Sequence, residues 1–483
     1  MVFTSTIFLF LFLPLTAFSH YIMQAKYRNI FLFIMSSVFY YYGEQNLLFL
    51  MYGVILINWL TAFGFEQIDS KIVIDRYKLL YRKILLILCI ILCIGILWYY
   101  KYWGFTISIF NDIFTLLGCD YSLSLVDKII LPLGISFYTF HCLSYTFDVY
   151  LKKMSADHNL LNFMCYVLMF PQLVAGPIVR YIDIKKQFEH RSITLIGINN
   201  GIRKFCFGLA KKVLIANTVA LSADRIFDMP IEQLDFVSAW FGAICYTLQI
   251  YFDFSGYSDM AIGLAMLFGF RYKENFNYPY ISRSVSEFWR RWHISLSSWL
   301  KDYVYISLGG NRVARWRYYF NLIMVMLLSG LWHGAQFTFV LWGLWYGIFM
   351  VIEVAGFRNI LQRNSILAHI YSLFVIIFGW VIFRSVDLEH CFLYWKIMCI
   401  PVGITFDYVK EFASYDILFT IVMGMFFSID WRSKYKKIVL AMPLKNKIFI
   451  AKISSMIIAS ILLILSVMSI FTNSYNPFIY FRF

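Results

Sequence analysis

Charge is scarce in this chain. Only 14% of its 483 residues are Asp, Glu, Lys or Arg, while 61% are hydrophobic. A soluble globular architecture has no use for that balance and is excluded. No Gly/Ser-rich tract, low-complexity run or internal repeat divides the sequence, so it reads as one domain over 1–483 with no separable soluble part. Gly-x-Ser-x-Gly, His-Glu-x-x-His and Walker A sequences are missing. A serine-triad hydrolase, a zinc protease and an ATP-driven pump therefore lose weight. The 9 cysteines form no paired CxxC and lie almost all in apolar runs, so they read as small buried hydrophobes without a disulfide framework. Cys89 and Cys93 share a helix face, but no His or carboxylate joins them, and no metal is expected. The first residues, Met1-Val-Phe-Thr-Ser5, contain no Lys or Arg and thus no basic leader region. Thr4 to Ser19 reads as a retained first helix.

Apolar runs are abundant. They lie near 30–42, 47–64, 84–104, 128–149, 159–175, 203–223, 237–254, 318–333, 336–354, 366–383, 390–404, 413–429 and 449–471. Runs of this length predict an all-α polytopic membrane protein, whereas a membrane β-barrel would show short alternating segments. Phe170-Pro-Gln-Leu-Val-Ala-Gly-Pro177, with two prolines and Gly176, predicts a broken or re-entrant element. The net charge of +15 could suit nucleic acid, but the basic residues cluster between apolar runs: Lys71–Lys83, Arg180–Lys212, Arg271–Arg317 and Arg432–Lys452. The positive-inside rule places all four in the cytoplasm and both termini outside it, and excludes nucleic acid as a partner.

Two histidines stand out. His333 lies in an apolar stretch, Tyr318 to Val354, that holds one glutamate besides tyrosine and this imidazole. An ionisable group at membrane depth is costly and usually faces a polar cavity, although a packed helix interface also accommodates one. His293 lies in the basic, aromatic stretch Arg271–Arg317. There Phe288, Trp292, Leu296 and Leu300 share one side of a helix expected over Ser284 to Leu300, with Arg290 and Arg291 off that stripe. This predicts an amphipathic helix in or under the inner interface.

In chain order the polar motifs are Leu131-Pro-Leu-Gly-Ile-Ser-Phe-Tyr138, Phe170-Pro-Gln-Leu-Val-Ala-Gly-Pro-Ile-Val-Arg180 and Tyr251-Phe-Asp-Phe-Ser-Gly-Tyr-Ser-Asp-Met-Ala-Ile-Gly263. Then come Phe288-Trp-Arg-Arg-Trp-His-Ile-Ser-Leu-Ser-Ser-Trp299, Gly309-Gly-Asn-Arg312 and Gly330-Leu-Trp-His-Gly334. Together they resemble the membrane-bound O-acyltransferase family, in its bacterial branch of alginate and peptidoglycan O-acetylation and teichoic acid D-alanylation membrane proteins. The apolar runs predict ~11–13 spanning and re-entrant helices, and the resemblance implies that they tilt in a ring around a central funnel or tunnel. It implies that His333 is the catalytic histidine and His293 a second one. It also implies that the acyl donor is a cytoplasmic thioester, acyl-CoA (acetyl-CoA first) or an acyl-carrier protein, and that no cofactor is resident.

Neutral imidazole suits the chemistry, because a base must take the hydroxyl proton as attack proceeds. Gly330 and Gly334 would let a substrate or a helix come close to His333. Asp253 and Asp259 could orient a histidine or arginine, or cap a helix where the apolar run breaks. Arg180 could hold donor phosphates or anchor at the interface. His20, His158, His190 and His390 are expected to be solvated; His141 and His369 lie in helices without a motif. The ending Asn476-Pro-Phe-Ile-Tyr-Phe-Arg-Phe483 should lie outside. It is similar to the end of the small companion protein of teichoic acid D-alanylation systems, which marks Tyr480 as an acyl relay; an aromatic interface anchor is the other reading. The function expected is transfer of an acyl group, acetyl first, to an extracytoplasmic polysaccharide hydroxyl, directly or through a secreted or periplasmic partner. D-alanyl transfer to teichoic acid is the alternative within the class. A flippase of lipid-linked sugars is the alternative outside it, though paired broken helices and inverted repeats are not found.

Overall fold

The structure is a computed structural model and describes residues 1–119, 121–124, 129–401, 404–431, 444–472, 475–477 and 479, with the side chains of 444–453 excepted. Tyr480 and the loop half of the Arg432–Lys452 stretch lie outside the described residues. Every regular element among those residues is helical, so the chain is an all-α polytopic membrane protein. Six helical stretches are long and apolar enough to cross a membrane: Leu47–Lys71, Asp75–Leu116, Leu195–Phe227, Phe337–Arg363, Ser365–Arg384 and Ser454–Thr472. In the last of these only 11% of the apolar window is buried against protein. Its outward side chains include Ile457, Ile461, Leu465 and Met468. Hydrocarbon is the medium that suits such a surface, and a helix satisfies its own backbone there.

Contacts divide the chain into two units, Met1–Thr194 with Phe268–Tyr272, and Leu195–Leu267 with Lys273–Phe483. In the first, the apolar run near 84–104 extends into one long stretch, Asp75–Leu97 and Trp103–Leu116 joined by a wider π turn at Trp98–Tyr102. The broken element expected at 170–177 is present. Met169 adopts φ −51, ψ 111 and stops the helix Leu160–Leu168, and a single turn Phe170–Leu173 follows, fully buried. Gly134 needs its positive φ of +74, and a Cβ there would also come within 2.7 Å of the Leu173 carbonyl oxygen. His20 is a correction: it is wholly buried, because its helix packs it edge-on against Phe268 at 5.1 Å. His158 and His190 are exposed as expected, and His390 is half-buried.

The second unit is organised by the 32-residue helix Phe236–Leu267. Its residues from Cys245 to Ser258 are all buried, so the helix is interior on every side there, polar residues such as Gln249 and Asp253 included. It lies backbone to backbone with the helix Leu195–Ala210. A Cβ on Gly201 or Gly263 would come within 2.7 Å of the other's carbonyl oxygen; on Gly208 and Gly256 the distances are 2.5 and 2.7 Å. Two glycines seven residues apart on each helix thus set the crossing. One turn beyond, the chain widens into a π turn, Lys211–Ala216, before continuing as Asn217–Phe227. The basic connecting stretch Arg180–Lys212 is largely helical, as Tyr181–Glu189 and from Leu195 onwards, where the helix begins before the apolar run expected at 203–223, and Lys212 is buried within it.

Candidate active site

His333 ends the helix Arg315–His333 and is 3% exposed. Its ring lies edge-on to Trp342 at 5.1 Å and Phe383 at 5.2 Å, and 4.9 Å from Trp332. Three elements thus enclose it: its own helix, Phe337–Ile352 and Ser365–Arg384. The flanking glycines serve close helix approach. A Cβ on Gly330 would meet the Phe339 carbonyl oxygen at 2.2 Å, and one on Gly334 would meet the Phe339 ring at 2.0 Å.

His293 corrects the expectation of one helix over Ser284 to Leu300. Two short helices, Val285–Arg291 and Ile294–Leu300, are separated by an extended Trp292 and by His293 in the left-handed region, φ 42, ψ 55. The amphipathic stripe survives the break: Phe288, Trp292, Leu296 and Leu300 are buried, and Arg290 is exposed. A non-glycine residue at positive φ costs ~1–3 kcal/mol and persists where its surroundings impose it. Here Asn277 N–H donates to the Arg291 carbonyl and Ile294 N–H to the Asn275 carbonyl, each at 2.9 Å, which pins the break from both sides.

The imidazole of His293 is wholly buried. Its Nδ1 lies 3.2 Å from Asn275 Oδ1, which also accepts from the Ser295 amide and hydroxyl. The Asn275 Nδ2 donates to Ser258 Oγ at 3.0 Å, which fixes the amide with its oxygen towards the ring. An acceptor facing Nδ1 places the proton there and leaves the lone pair on Nε2. Nε2 is buried and has no hydrogen-bond partner among the described residues. Burial pushes this imidazole well below its ordinary value, to about 3, so it is neutral at physiological pH. Its ring stands perpendicular to Phe254 at 4.7 Å and lies 5.9 Å from Trp332. Both histidines thus touch the same indole. The arrangement offers two buried imidazoles, one of them oriented by a polar network, as proton acceptors among packed aromatic rings.

Residues 70–385 match the model of MBOAT, the membrane-bound O-acyltransferase family. The chain belongs to the membrane-bound O-acyltransferase family. It is 45% identical to the Pseudomonas aeruginosa protein named "Probable alginate O-acetylase AlgI" over 390 residues, 80% of this chain and 73% of that one. It is 33% identical to the peptidoglycan O-acetyltransferase of Helicobacter pylori over 100% of this chain and 98% of that protein. The teichoic acid D-alanyltransferase of Bacillus subtilis is 29% identical over 53% of this chain and 70% of its own. Family membership fixes the class of chemistry as acyl transfer to oxygen.

Within this acyltransferase, Asp253 and Asp259 do not cap a helix. Both lie inside Phe236–Leu267 and pair with lysines rather than with a histidine or arginine. Asp259 faces Lys204 at 3.0 Å and Lys211 at 2.6 Å. Asp253 faces Lys212 at 2.8 Å, and also accepts the Ile479 N–H at 2.9 Å. Arg180 lies in the first unit, half-buried just before the helix Tyr181–Glu189. His369 Nδ1 lies 3.2 Å from the Ser282 carbonyl. Asn275, Trp342, Phe383 and Lys212 were not legible as site residues. Lys212 alone carried a signal, a lysine inside the apolar run 203–223; Asn275 sits in a polar loop that no spacing distinguishes.

Proposed function

We propose that this acyltransferase moves an acyl group, acetyl first, from a cytoplasmic thioester to a hydroxyl of an extracytoplasmic polysaccharide. The observation that carries the reading is the pair of buried histidines on Trp332, with the Nε2 of His293 free to accept. In the transfer from the thioester a hydroxyl oxygen bonds to the acyl carbon while imidazole takes its proton, the carbon–sulfur bond breaks and the thiolate leaves with that proton; in a transfer from a phenol ester the sugar oxygen bonds to the acyl carbon, the bond to the phenol oxygen breaks and the phenolate takes up the proton. His333 serves as the base at the acceptor, and His293 as the second base or the donor-positioning group. Tyr480 relays the acyl group: its phenol takes it from the thioester, and a sugar hydroxyl then takes it from the phenol ester. Support for this comes from the neighbouring residue. Ile479 is held by Asp253, whose chain neighbour Phe254 stands against His293. A secreted or periplasmic partner is the second route for the final step.

The acetyl reading is supported by relatives named for O-acetylation, which align over 80–100% of this chain, against 53% for the D-alanyltransferase. The setting proposed is the cell (inner) membrane with both termini extracytoplasmic. The test is purified protein in liposomes, loaded inside with acetyl-CoA or a D-alanyl carrier thioester and given polysaccharide outside. Free thiol inside and ester outside, both abolished in His333→Ala, is the expected result. Sugar movement without thioester consumption would instead identify a flippase.

A further inference from the structure

The mechanism leaves one buried ion pair unused. Lys212 and Asp253 each expose 2% of their side chains and face one another at 2.8 Å. A buried ion pair is weak evidence for stability, since desolvation offsets most of its attraction. Both partners have a further contact, and both contacts go to the backbone of the segment that follows the last helix. The Lys212 ammonium donates to the Pro477 carbonyl, and the Asp253 carboxylate accepts from the Ile479 amide.

Both contacts are made to main-chain groups two residues apart, a carbonyl and an amide, so the ion pair holds the segment by its backbone and not by its side chains. The approach to the pair is ordered too. Tyr475 donates its hydroxyl to Asp224, Asn217 Nδ2 donates to Asn476 Oδ1 at 3.2 Å, and Pro477 follows at Lys212. Rising numbers in the segment meet falling numbers on the helix, so the segment runs antiparallel along it to the ion pair. Asp224 is itself held by Arg384 at 3.1 Å, which fixes the start of the track. The π turn Lys211–Ala216 and the Gly208–Gly256 crossing bring Lys212 against Asp253 where the segment arrives.

We propose that Lys212 and Asp253 are positioning residues that clamp the backbone at Pro477 and Ile479, the approach in the chain to Tyr480, an inference whose catalytic consequence rests on the relay reading above. The test uses Ile479→Cys in a background with the exposed Cys119 and Cys399 changed to serine. Its alkylation rate is read in the full-length protein in lipid.

The informative variant is the charge swap Lys212→Asp/Asp253→Lys. It keeps an ion pair but turns a carboxylate towards the Pro477 carbonyl and an ammonium towards the Ile479 amide. The clamp predicts a rise in alkylation of at least ~10-fold, the scale of losing one charge-assisted hydrogen bond, and a rise of similar size in Lys212→Met/Asp253→Leu. The apolar pair also serves if the swap does not insert, because apolar replacement of a buried pair is commonly tolerated. A purely structural salt bridge predicts alkylation unchanged in the swap, and that result overturns the clamp. Tyr480→Phe separates the two ideas. Full activity there removes the relay while faster alkylation in the swap still upholds the clamp; unchanged alkylation removes the clamp whatever Tyr480→Phe does.

Discussion

Gly330 lies so close to Phe339 that a Cβ on it would come within 2.2 Å of the Phe339 carbonyl oxygen. The listener to this contact is His333, three residues on and at the end of the same helix. Gly330→Ala must push Arg315–His333 away from Phe337–Ile352, and backbone cannot yield as a flexible side chain would. Overpacking of this kind costs ~1–3 kcal/mol. The expected outcome is a lower melting temperature of the solubilised protein and a loss of acylation larger than the loss of folded protein. Equal stability and activity would show that the crossing tolerates a methyl group.

His333→Ala is expected to lower polymer acylation by ~10²–10⁴-fold, the usual contribution of a general base. Protein level should stay near normal, because Trp332, Trp342 and Phe383 still pack around the site. Ester content of the extracted polymer is the measurement. Wild-type ester would remove His333 from the mechanism.

His293 gives a pH test with a defined sign. Burial lowers its value from 6.5 to about 3. The folded protein thus holds the ring neutral where an unfolded chain would protonate it. Its stabilising share is complete above 6.5 and is lost as pH falls towards about 3. Activity that needs a neutral His293 should show no acid limb from this group near pH 6. Asn275→Asp faces Nδ1 with a carboxylate and raises the value. An acid limb should then enter the pH–rate profile, moving up from the wild-type position. An unchanged profile in that variant would mean that the protonation of His293 has no part in the rate.

The sequence was informative where chemistry is local. His333 between two glycines and the broken element at 170–177 were both legible, because close approach and helix interruption are written in Gly and Pro. The course of 284–300 was not. Its apolar stripe fits one helix, and only the backbone bonds from Asn275 and Asn277 impose the left-handed His293. Those bonds join residues 14 and 19 positions apart and leave no periodic trace. The partners of the carboxylates were hidden for a related reason. Asp253 and Asp259 could be read as orienting a histidine or arginine or as caps at the end of an apolar run; the helix continues through them and their partners are lysines from the facing helix. Such pairing is set by the glycine crossing, a tertiary fact. His20 misled because a charged neighbourhood in sequence does not forbid burial in space.

The segment Gly309–Arg312 tests the donor side. Asn311 is exposed and follows two glycines at positive φ, 96 and 59, in a surface turn. The orientation proposed from the basic character of Arg271–Arg317 puts it in the cytoplasm. A cysteine at 311 should react with an impermeant thiol reagent only after the cell is opened. Reaction in intact cells would reverse the orientation and put the thioester on the wrong side for the route proposed.

Tyr480→Phe decides whether the last segment carries acyl groups or only anchors. The substitution keeps the ring and removes one oxygen. An aromatic anchor at the interface loses almost nothing by that change. A relay loses the atom that forms the ester, and acylation should fall as far as in His333→Ala. The two readings also differ in an intermediate. With donor thioester present and acceptor polysaccharide withheld, a relay accumulates protein in which the terminal peptide is heavier by one acyl group. Mass spectrometry of that peptide reads this directly, and His293→Ala should reduce the signal if His293 serves the donor half of the reaction. Normal polymer acylation in Tyr480→Phe, together with an unmodified terminal peptide in the wild type, would end the relay reading and leave direct transfer from thioester to sugar.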